Sequence, residues 1–362
     1  MKSNENTSLP NWFQALKPDG PLVISGPCSA ETKAQVLETA KRLNTGKTHL
    51  YRAGIWKPRT RPGNFEGVGA IGLEWLKEAK AQTGLKTTTE VASPLHVELA
   101  LEADVDVLWV GARTTVNPFV VQDIANALKG TDKIVFIKNP VNPDLSLWMG
   151  AFERFEKNGL SKLAAIHRGF SVYERTKYRN NPKWQVAIDF MQRMPQTPMI
   201  LDPSHMGGKR ALIEDLCQLG LDLNYAGFMI ESHINPDEAW SDAAQQITPE
   251  TLEGILDRLV IRKSSDNTEE YVMKLSQLRS QIDELDDSLV ETLGNRMQIV
   301  EAIGRLKKEK NVAVLQPQRW KSVLEKFIRA GNAANLSRDF TKNMFRAIHQ
   351  ESIQHQEKVL KK

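Results

Sequence analysis

The chain has 362 residues, with 48 Lys and Arg against 44 Asp and Glu and a formal net charge of +4. A hydrophobic share of 41% and a charged share of 25% supply a sizeable core and exclude a low-complexity or wholly disordered chain. So small a net charge points away from nucleic acid and membrane surfaces as partners, no apolar run reaches the ~18 residues of a membrane span, and two cysteines, Cys28 and Cys217, are too few for a disulfide framework. The polar start MKSNENTSLPNWF lacks the apolar centre of a signal peptide, so the cytoplasm is the expected location. The charge is unevenly spread: from Tyr271 onward there are 17 Lys and Arg against 11 Asp and Glu (+6), leaving 31 against 33 (−2) before it. The stretch RKSSDNTEE (Arg262 to Glu270) has no aliphatic residue and suits a linker. The expected organisation is therefore a first domain over 1–262, a linker over 263–270 and a second domain over 271–362.

In chain order, the first domain alternates short apolar runs with helical patterns. Expected strands are Leu22 to Ser25, His49 to Ala53, Leu85 to Val91, Val105 to Val110, Lys133 to Ile137, Leu163 to His167, Met199 to Leu201 and Gly227 to Ile230. Amphipathic stretches lie between them, such as Ala34 to Leu43, Gly69 to Thr83, Leu95 to Ala103, Pro118 to Leu128 and Lys209 to Leu219. Continuous apolar runs separated by helices indicate parallel strands buried on both faces. Eight such units predict an α/β fold, a (β/α)8 (TIM) barrel. No G-x-G-x-x-G follows the first run, which disfavours an open dinucleotide-binding sheet.

The second domain has another period. Leu275, Leu278, Ile282, Leu285 and Leu289 recur at steps of three and four, and Leu293, Met297, Val300 and Ile303 continue the face. Without a proline from Glu269 to Lys310, this predicts one helix of about 40 residues and about 60 Å. A single apolar stripe on so long a helix calls for a partner, and a second copy of the same helix, in a homodimer, fits best. Pro317 and the Gly331-Asn332 step divide the remainder into two shorter helices.

Barrel enzymes carry reactive groups at the C-terminal strand ends. Those positions here gather Arg52, Lys57, Arg59, Arg113, Lys138 and Arg168 beside Gly and Pro, although their domain is net negative. Guanidinium and ammonium groups so placed suit a substrate with more than one phosphate or carboxylate. The same rim holds Cys28, His205, Glu231 and Asp242, a mixture of soft and hard ligands that suits a divalent transition metal and leaves its identity open. Taken singly, Cys28 reads as a small buried hydrophobe and His205 as a satisfied rim histidine; sharing one rim is what favours the metal. Cys217 reads as core.

The ordered motifs GPCS (Gly26 to Ser29), RAGIWKPRTRP (Arg52 to Pro62), GAR, IKNP, HRG, DPSH and IESHINPDEAWSDAAQ resemble those of 3-deoxy-D-arabino-heptulosonate 7-phosphate (DAHP) synthases, in particular the short type I beta form. The resemblance implies aldol-like condensation of phosphoenolpyruvate with erythrose 4-phosphate. It also implies a divalent ion, Mn2+ or similar, on Cys28, His205, Glu231 and Asp242. Phosphoenolpyruvate would lie on Arg52, Lys57, Arg113, Lys138 and Arg168, with the aldose phosphate on Arg59 and Thr60. Lys57 suits both a proton donor and a fixed charge, and the residues alone leave that open. The related octulosonate 8-phosphate synthases share the barrel and phosphoenolpyruvate but take a five-carbon sugar. KPRT at Lys57 to Thr60 is the heptulosonate form of that tetrapeptide.

In the long helix, Arg296 and Lys307 are 11 residues apart and so fall within about 20° of one face, while Arg279, 17 residues before Arg296, lies about 100° round the helix; cations so placed suit a small dicarboxylate. The run from Leu278 to Lys307, PQR at Pro317 to Arg319 and ESIQHQ at Glu351 to Gln356 resemble the all-helical chorismate mutases of the AroQ class. That resemblance implies rearrangement of chorismate to prephenate in a pocket of Arg296, Lys307, Arg319, Ser352 and Gln356, with Arg279 supplied by a partner chain. Lys307 and Gln356 would act on the ether oxygen. Gln316 and Trp320 depart from the commonest pattern, which has Asp and Glu there, so turnover or affinity is expected to be lowered. The expected protein is a bifunctional enzyme whose helical domain also regulates the barrel; a helical domain that only dimerises and senses ligand is the competing reading.

Overall fold

The computed structural model describes residues 9–17, 19–58, 63, 65–173, 176–263 and 266–361. The chain divides into two compact units, Met1–Ser264 and Ser265–Lys362.

In the first unit, strands β1 (Leu22–Gly26), β2 (Leu50–Arg52), β3 (Lys86–Val91), β4 (Val107–Val110), β5 (Ile134–Lys138), β6 (Leu163–His167), β7 (Met199–Leu201) and β8 (Gly227–Glu231) pair in chain order as a closed parallel barrel. β8 closes on β1 with Leu22 opposite Gly227 and Gly26 opposite Glu231. Four expected strand starts move inward, to Leu50, Lys86, Val107 and Ile134, and at two of them a side chain takes over a ladder bond. His49 Nδ1 accepts the Val23 amide at 3.0 Å, so β2 starts at Leu50. Asp106 Oδ2 accepts the Thr87 amide at 2.8 Å, so β4 starts at Val107. The helix expected from Lys209 starts at Ile213, after a 3-10 turn over Arg210–Leu212.

Strand periodicity puts alternate residues on opposite faces. The outward set, including Val23, Tyr51, Leu108, Val135, Ala165, Leu201 and Phe228, joins the helices in the larger core. The inward set, including Ile24, Leu50, Val107, Trp109, Phe136, Ile166, Ile200 and Met229, fills the barrel, and Phe13 and Leu16 at the N-terminal segment pack with it. Two residues further along the same inward rows come Arg52, Lys138, Arg168, Asp202 and Glu231, all less than a tenth exposed. The fold therefore converts an apolar interior into a charged floor at the C-terminal mouth.

The second unit consists of the helices Glu269–Glu309, Pro317–Ala333 and Arg338–Lys361. The first faces the third around Gly304, where an added Cβ would lie 3.3 Å from the Gln356 backbone. The second joins the third through stacked Phe327 and Phe345, ring centroids 3.9 Å apart. Among the described residues of this unit Val300 is the only buried hydrophobic side chain, whereas Leu278, Ile282, Leu285 and Leu289 are each more than half exposed.

Candidate active sites

At the barrel mouth, Cys28, His205, Glu231 and Asp242 each offer one ligand atom within 4.8 Å of the others. Their arrangement follows from local structure. Asp202 caps the short helix Pro203–Gly207 by accepting the His205 amide at 3.0 Å. The same carboxylate lies 2.8 Å from His205 Nδ1. A carboxylate accepts, so Nδ1 carries the proton and the lone pair of Nε2 faces the cluster, 3.5 Å from Glu231 Oε1. Burial keeps this imidazole neutral, its pKa lowered despite Asp202 and Glu231. Burial, followed by the charge of Glu231, pushes the Cys28 thiol up to about 12. Glu231 Oε1 is buried without a hydrogen-bond partner. An orphaned carboxylate oxygen, an outward lone pair and a thiol within reach fit a divalent ion, which lowers a coordinating thiol's pKa and satisfies the oxygen.

A cluster of cations adjoins it. Arg52 is 1% exposed, and its Nε and Nη1 have no hydrogen-bond partner. Nη2 lies 3.3 Å from Glu231 Oε1, and the guanidinium sits 4.9 Å above the centre of the Trp109 ring. Lys138 donates to Asp202 Oδ2 at 2.8 Å. Arg168 donates to Asn180 Oδ1 at 2.8 Å, and its pKa falls to about 10 through burial, with further lowering from nearby Arg179 and Arg113. Lys57 donates to the Cys28 carbonyl at 2.8 Å and lies 3.1 Å from Sγ. Gly54 makes that fold-back possible, since a Cβ there would stand 2.5 Å from the Cys28 carbonyl and 3.0 Å from Lys57 Cδ. Burial opposes the charge on Lys57, yet Cys28 and Glu231 outweigh it and its pKa is raised. Buried guanidinium donors without acceptors are costly, and a phosphate or carboxylate would satisfy them.

The structure thus gathers Cys28, Arg52, Lys57, Lys138, Arg168, His205, Glu231 and Asp242, with Arg113 in electrostatic reach of Arg168. Arg59 and Thr60 lie outside the described residues. Sequence reasoning missed Asp202, although it stands in the quoted DPSH motif, because a capping residue and a ligand-orienting residue look alike in one dimension.

In the helical unit, Arg296 Nη1 donates to Ser352 Oγ at 2.6 Å, Lys307 donates to the Val314 carbonyl at 2.6 Å, and Gln356 is buried with Oε1 unpartnered. Arg319 is exposed on the first turn of the second helix, and neighbouring Trp320 stacks on His349 at 3.9 Å. Arg279 is exposed. Seventeen residues of helix separate it from Arg296, about 25 Å along the axis, so the two are not neighbours within one chain.

Residues 16–265 match the profile described as the DAHP synthetase I family. The chain belongs to that family. Residues 278–357 match chorismate mutase type II, so the chain is a bifunctional enzyme with a synthase (transferase) unit and a mutase (isomerase) unit. The synthase unit is similar to the phospho-2-dehydro-3-deoxyheptonate aldolase of Thermotoga maritima, 29% identical over 237 residues, covering 66% of this chain and 68% of that protein. It is also similar to a 2-dehydro-3-deoxyphosphooctonate aldolase of Rhodopseudomonas palustris, 28% identical over 261 residues, covering 66% of this chain and 86% of that one. Among solved structures, the Thermotoga maritima DAHP synthase aligns with a TM-score of 0.58 at 26% identity, covering 65% of this chain and 67% of its own. A truncated form of the Thermotoga maritima synthase aligns at 0.56 and 25%, covering 65% and 84%. Among the described residues, no helix is long and apolar enough to cross a membrane.

Proposed function

We propose that the barrel condenses phosphoenolpyruvate, erythrose 4-phosphate and one water, which is captured at C2 of phosphoenolpyruvate, to 3-deoxy-D-arabino-heptulosonate 7-phosphate and phosphate, with one divalent metal ion held by Cys28, His205, Glu231 and Asp242. The observation that carries the reading is the buried guanidinium of Arg52, with Nε and Nη1 left without hydrogen-bond partners, beside a four-ligand cluster. Arg52, Arg113, Lys138 and Arg168 bind the phosphate and carboxylate of phosphoenolpyruvate, and Arg59 and Thr60 the aldose phosphate. Bound at the cluster, the metal supplies Lewis acidity where negative charge develops on the aldehyde oxygen. Lys57 holds its proton beside Cys28 and can deliver it as that charge builds. Asp202 orients His205 and Lys138 together, and Trp109 walls the charged floor from below.

The helical unit rearranges chorismate to prephenate as a homodimer. Arg296, Arg319 and the partner's copy of Arg279 bind the carboxylates, Ser352 fixes Arg296, and Lys307 and Gln356 stabilise charge on the ether oxygen. The exposed apolar stripe of the long helix supports the dimer. Ligand binding to this unit changes the synthase rate.

The deciding assay follows phosphoenolpyruvate consumption with erythrose 4-phosphate and with arabinose 5-phosphate, before and after metal removal. The expected result is turnover of the four-carbon sugar, lost on metal removal and restored by Mn2+. Turnover of arabinose 5-phosphate alone, or full activity in metal-free protein, overturns the assignment. Conversion of chorismate to prephenate tests the second activity, and unchanged synthase kinetics at saturating prephenate would exclude regulation by that ligand.

A further inference from the structure

The loop after β6 contributes two adjacent side chains, Arg179 and Asn180, that tie the metal-ligand cluster to the anion cluster. Arg179 Nη1 donates to Asp242 Oδ1 at 2.9 Å and to Gln245 Oε1 at 2.7 Å. Gln245 in turn donates through Nε2 to Glu231 Oε2 at 2.7 Å. One oxygen of each carboxylate ligand is thereby occupied. The other oxygens, Asp242 Oδ2 at 3.5 Å from Cys28 Sγ and Glu231 Oε1, which accepts no hydrogen bond and lies 3.3 Å from Arg52 Nη2, face the cluster. Asn180 is buried; its Oδ1 accepts from Arg168 Nη1 at 2.8 Å while its Nδ2 donates to the His205 carbonyl at 2.6 Å. One dipeptide thus touches two metal ligands and an anion-binding arginine.

The loop is strapped down where this matters. The Arg179 and Asn180 amides donate to the Gly207 and Met206 carbonyls at 3.2 and 3.1 Å, and Phe170 and Asn181 exchange both backbone bonds at 2.8 Å. Gly208, at φ +67°, leaves room for the approach, since a Cβ there would stand 2.5 Å from Arg179 Cβ. Asp242 itself sits in the left-handed region (φ 50°, ψ 37°), which Asp tolerates better than most non-glycine residues. The Arg179 side chain is 44% exposed. An ion pair of that exposure adds little stability. Its geometry serves orientation, as partners behind metal ligands do.

We propose that Arg179 and Asn180 are positioning residues: Arg179 aims Asp242 and, through Gln245, Glu231 at the metal, and Asn180 sets His205 and Arg168 together. Affinity for the divalent ion then depends on Arg179, and affinities for the ion and for phosphoenolpyruvate both depend on Asn180. The inference rests on reading the four-residue cluster as a metal site. In the test, full-length metal-free protein is titrated with Co2+, following the cobalt–thiolate absorption of Cys28, and phosphoenolpyruvate binding is measured by calorimetry at saturating Mn2+. Wild type is expected to take one ion per chain with a thiolate band. Arg179→Ala should bind it about 10–100-fold more weakly, with phosphoenolpyruvate affinity at saturating metal within about threefold. Arg179→Lys, which keeps the charge without the fork, should recover part of the loss. Asn180→Ala should weaken both ligands by about tenfold. Unfolding midpoints close to wild type identify a loss of positioning rather than of fold, and Arg179→Lys carries the comparison if Arg179→Ala does not fold. A wild type that takes no ion removes both the metal reading and this inference. A wild type and an Arg179→Ala that bind Co2+ with equal affinity and the same band remove the inference alone.

Discussion

Single residues at the barrel mouth carry costs that make sense only with ligands present. The Cys28 thiol, raised to about 12 by burial and then by Glu231, is protonated at neutral pH in the metal-free protein. A metal bound through Cys28 as proposed would displace that proton, so affinity should rise with pH and about one proton should be released per site near pH 7. Calorimetry in buffers of different ionisation enthalpy measures the release; its absence would mean that Cys28 is not a ligand. Asp202→Asn removes the charge that orients His205 and pairs Lys138. Metal affinity should drop about 10–100-fold, readable by equilibrium dialysis. His167 shows the contrast between the two faces of a strand. It points outward, bonded to the Tyr225 hydroxyl and the Pro182 carbonyl at 2.8 Å each, and burial lowers its pKa to about 3. The unfolded chain therefore binds a proton there between about pH 6.5 and 3 that the fold does not, so stability falls as pH drops through that window. Unfolding followed against pH should show a shallower fall for His167→Gln than for wild type; equal slopes would count against it.

At the scale of elements, the strands and the long helix differ in how they are buried. Each barrel strand buries both faces, and the change from apolar to charged along the inward rows places the site at one end. The long helix has an amphipathic repeat but little of its own chain to cover it: Leu285 is 66% and Leu289 60% exposed. Packing in the helical unit depends on close approaches, and at Gly331 an added Cβ would lie 2.3 Å from Thr341 Oγ1. Gly331→Ala should therefore destabilise the helical unit by about 1–3 kcal/mol, as overpacking does, measurable as a lower denaturant midpoint for loss of helical circular dichroism. Most strands and the three C-terminal helices were legible from periodicity. The starts of β2 and β4 were not, because His49 and Asp106 replace backbone partners with side-chain atoms that hydropathy does not register.

For the whole molecule, the exposed stripe and the position of Arg279 lead to one expectation. If long helices pair between chains, Leu285→Lys with Leu289→Lys should yield monomers by analytical ultracentrifugation and abolish chorismate turnover. Arg279→Ala and Arg296→Ala, each inactive alone, should regain part of that activity when mixed and allowed to exchange subunits, because a mixed dimer contains one intact pocket. Failure to regain any activity despite proven exchange would show that Arg279 does not act across chains.

Periodicity and motif order in the chain are enough for the architecture of both units, and they named most of the side chains that meet at the barrel mouth. Strand and helix periods are one-dimensional consequences of where side chains point, and the ordered motifs specify a family. Net charge hid the cations that matter, since a sum of +4 carries no positions. Which atoms meet is a property of the folded barrel alone. The fold left Arg52 Nε and Nη1 and Glu231 Oε1 without hydrogen-bond partners, turned the lone pair of His205 inward through Asp202, and brought Arg179 and Asn180 against Asp242 and His205, far away in sequence. Those facts depend on barrel closure, which joins strand ends dozens of residues apart at hydrogen-bond distance, and no local pattern in the chain encodes such a distance.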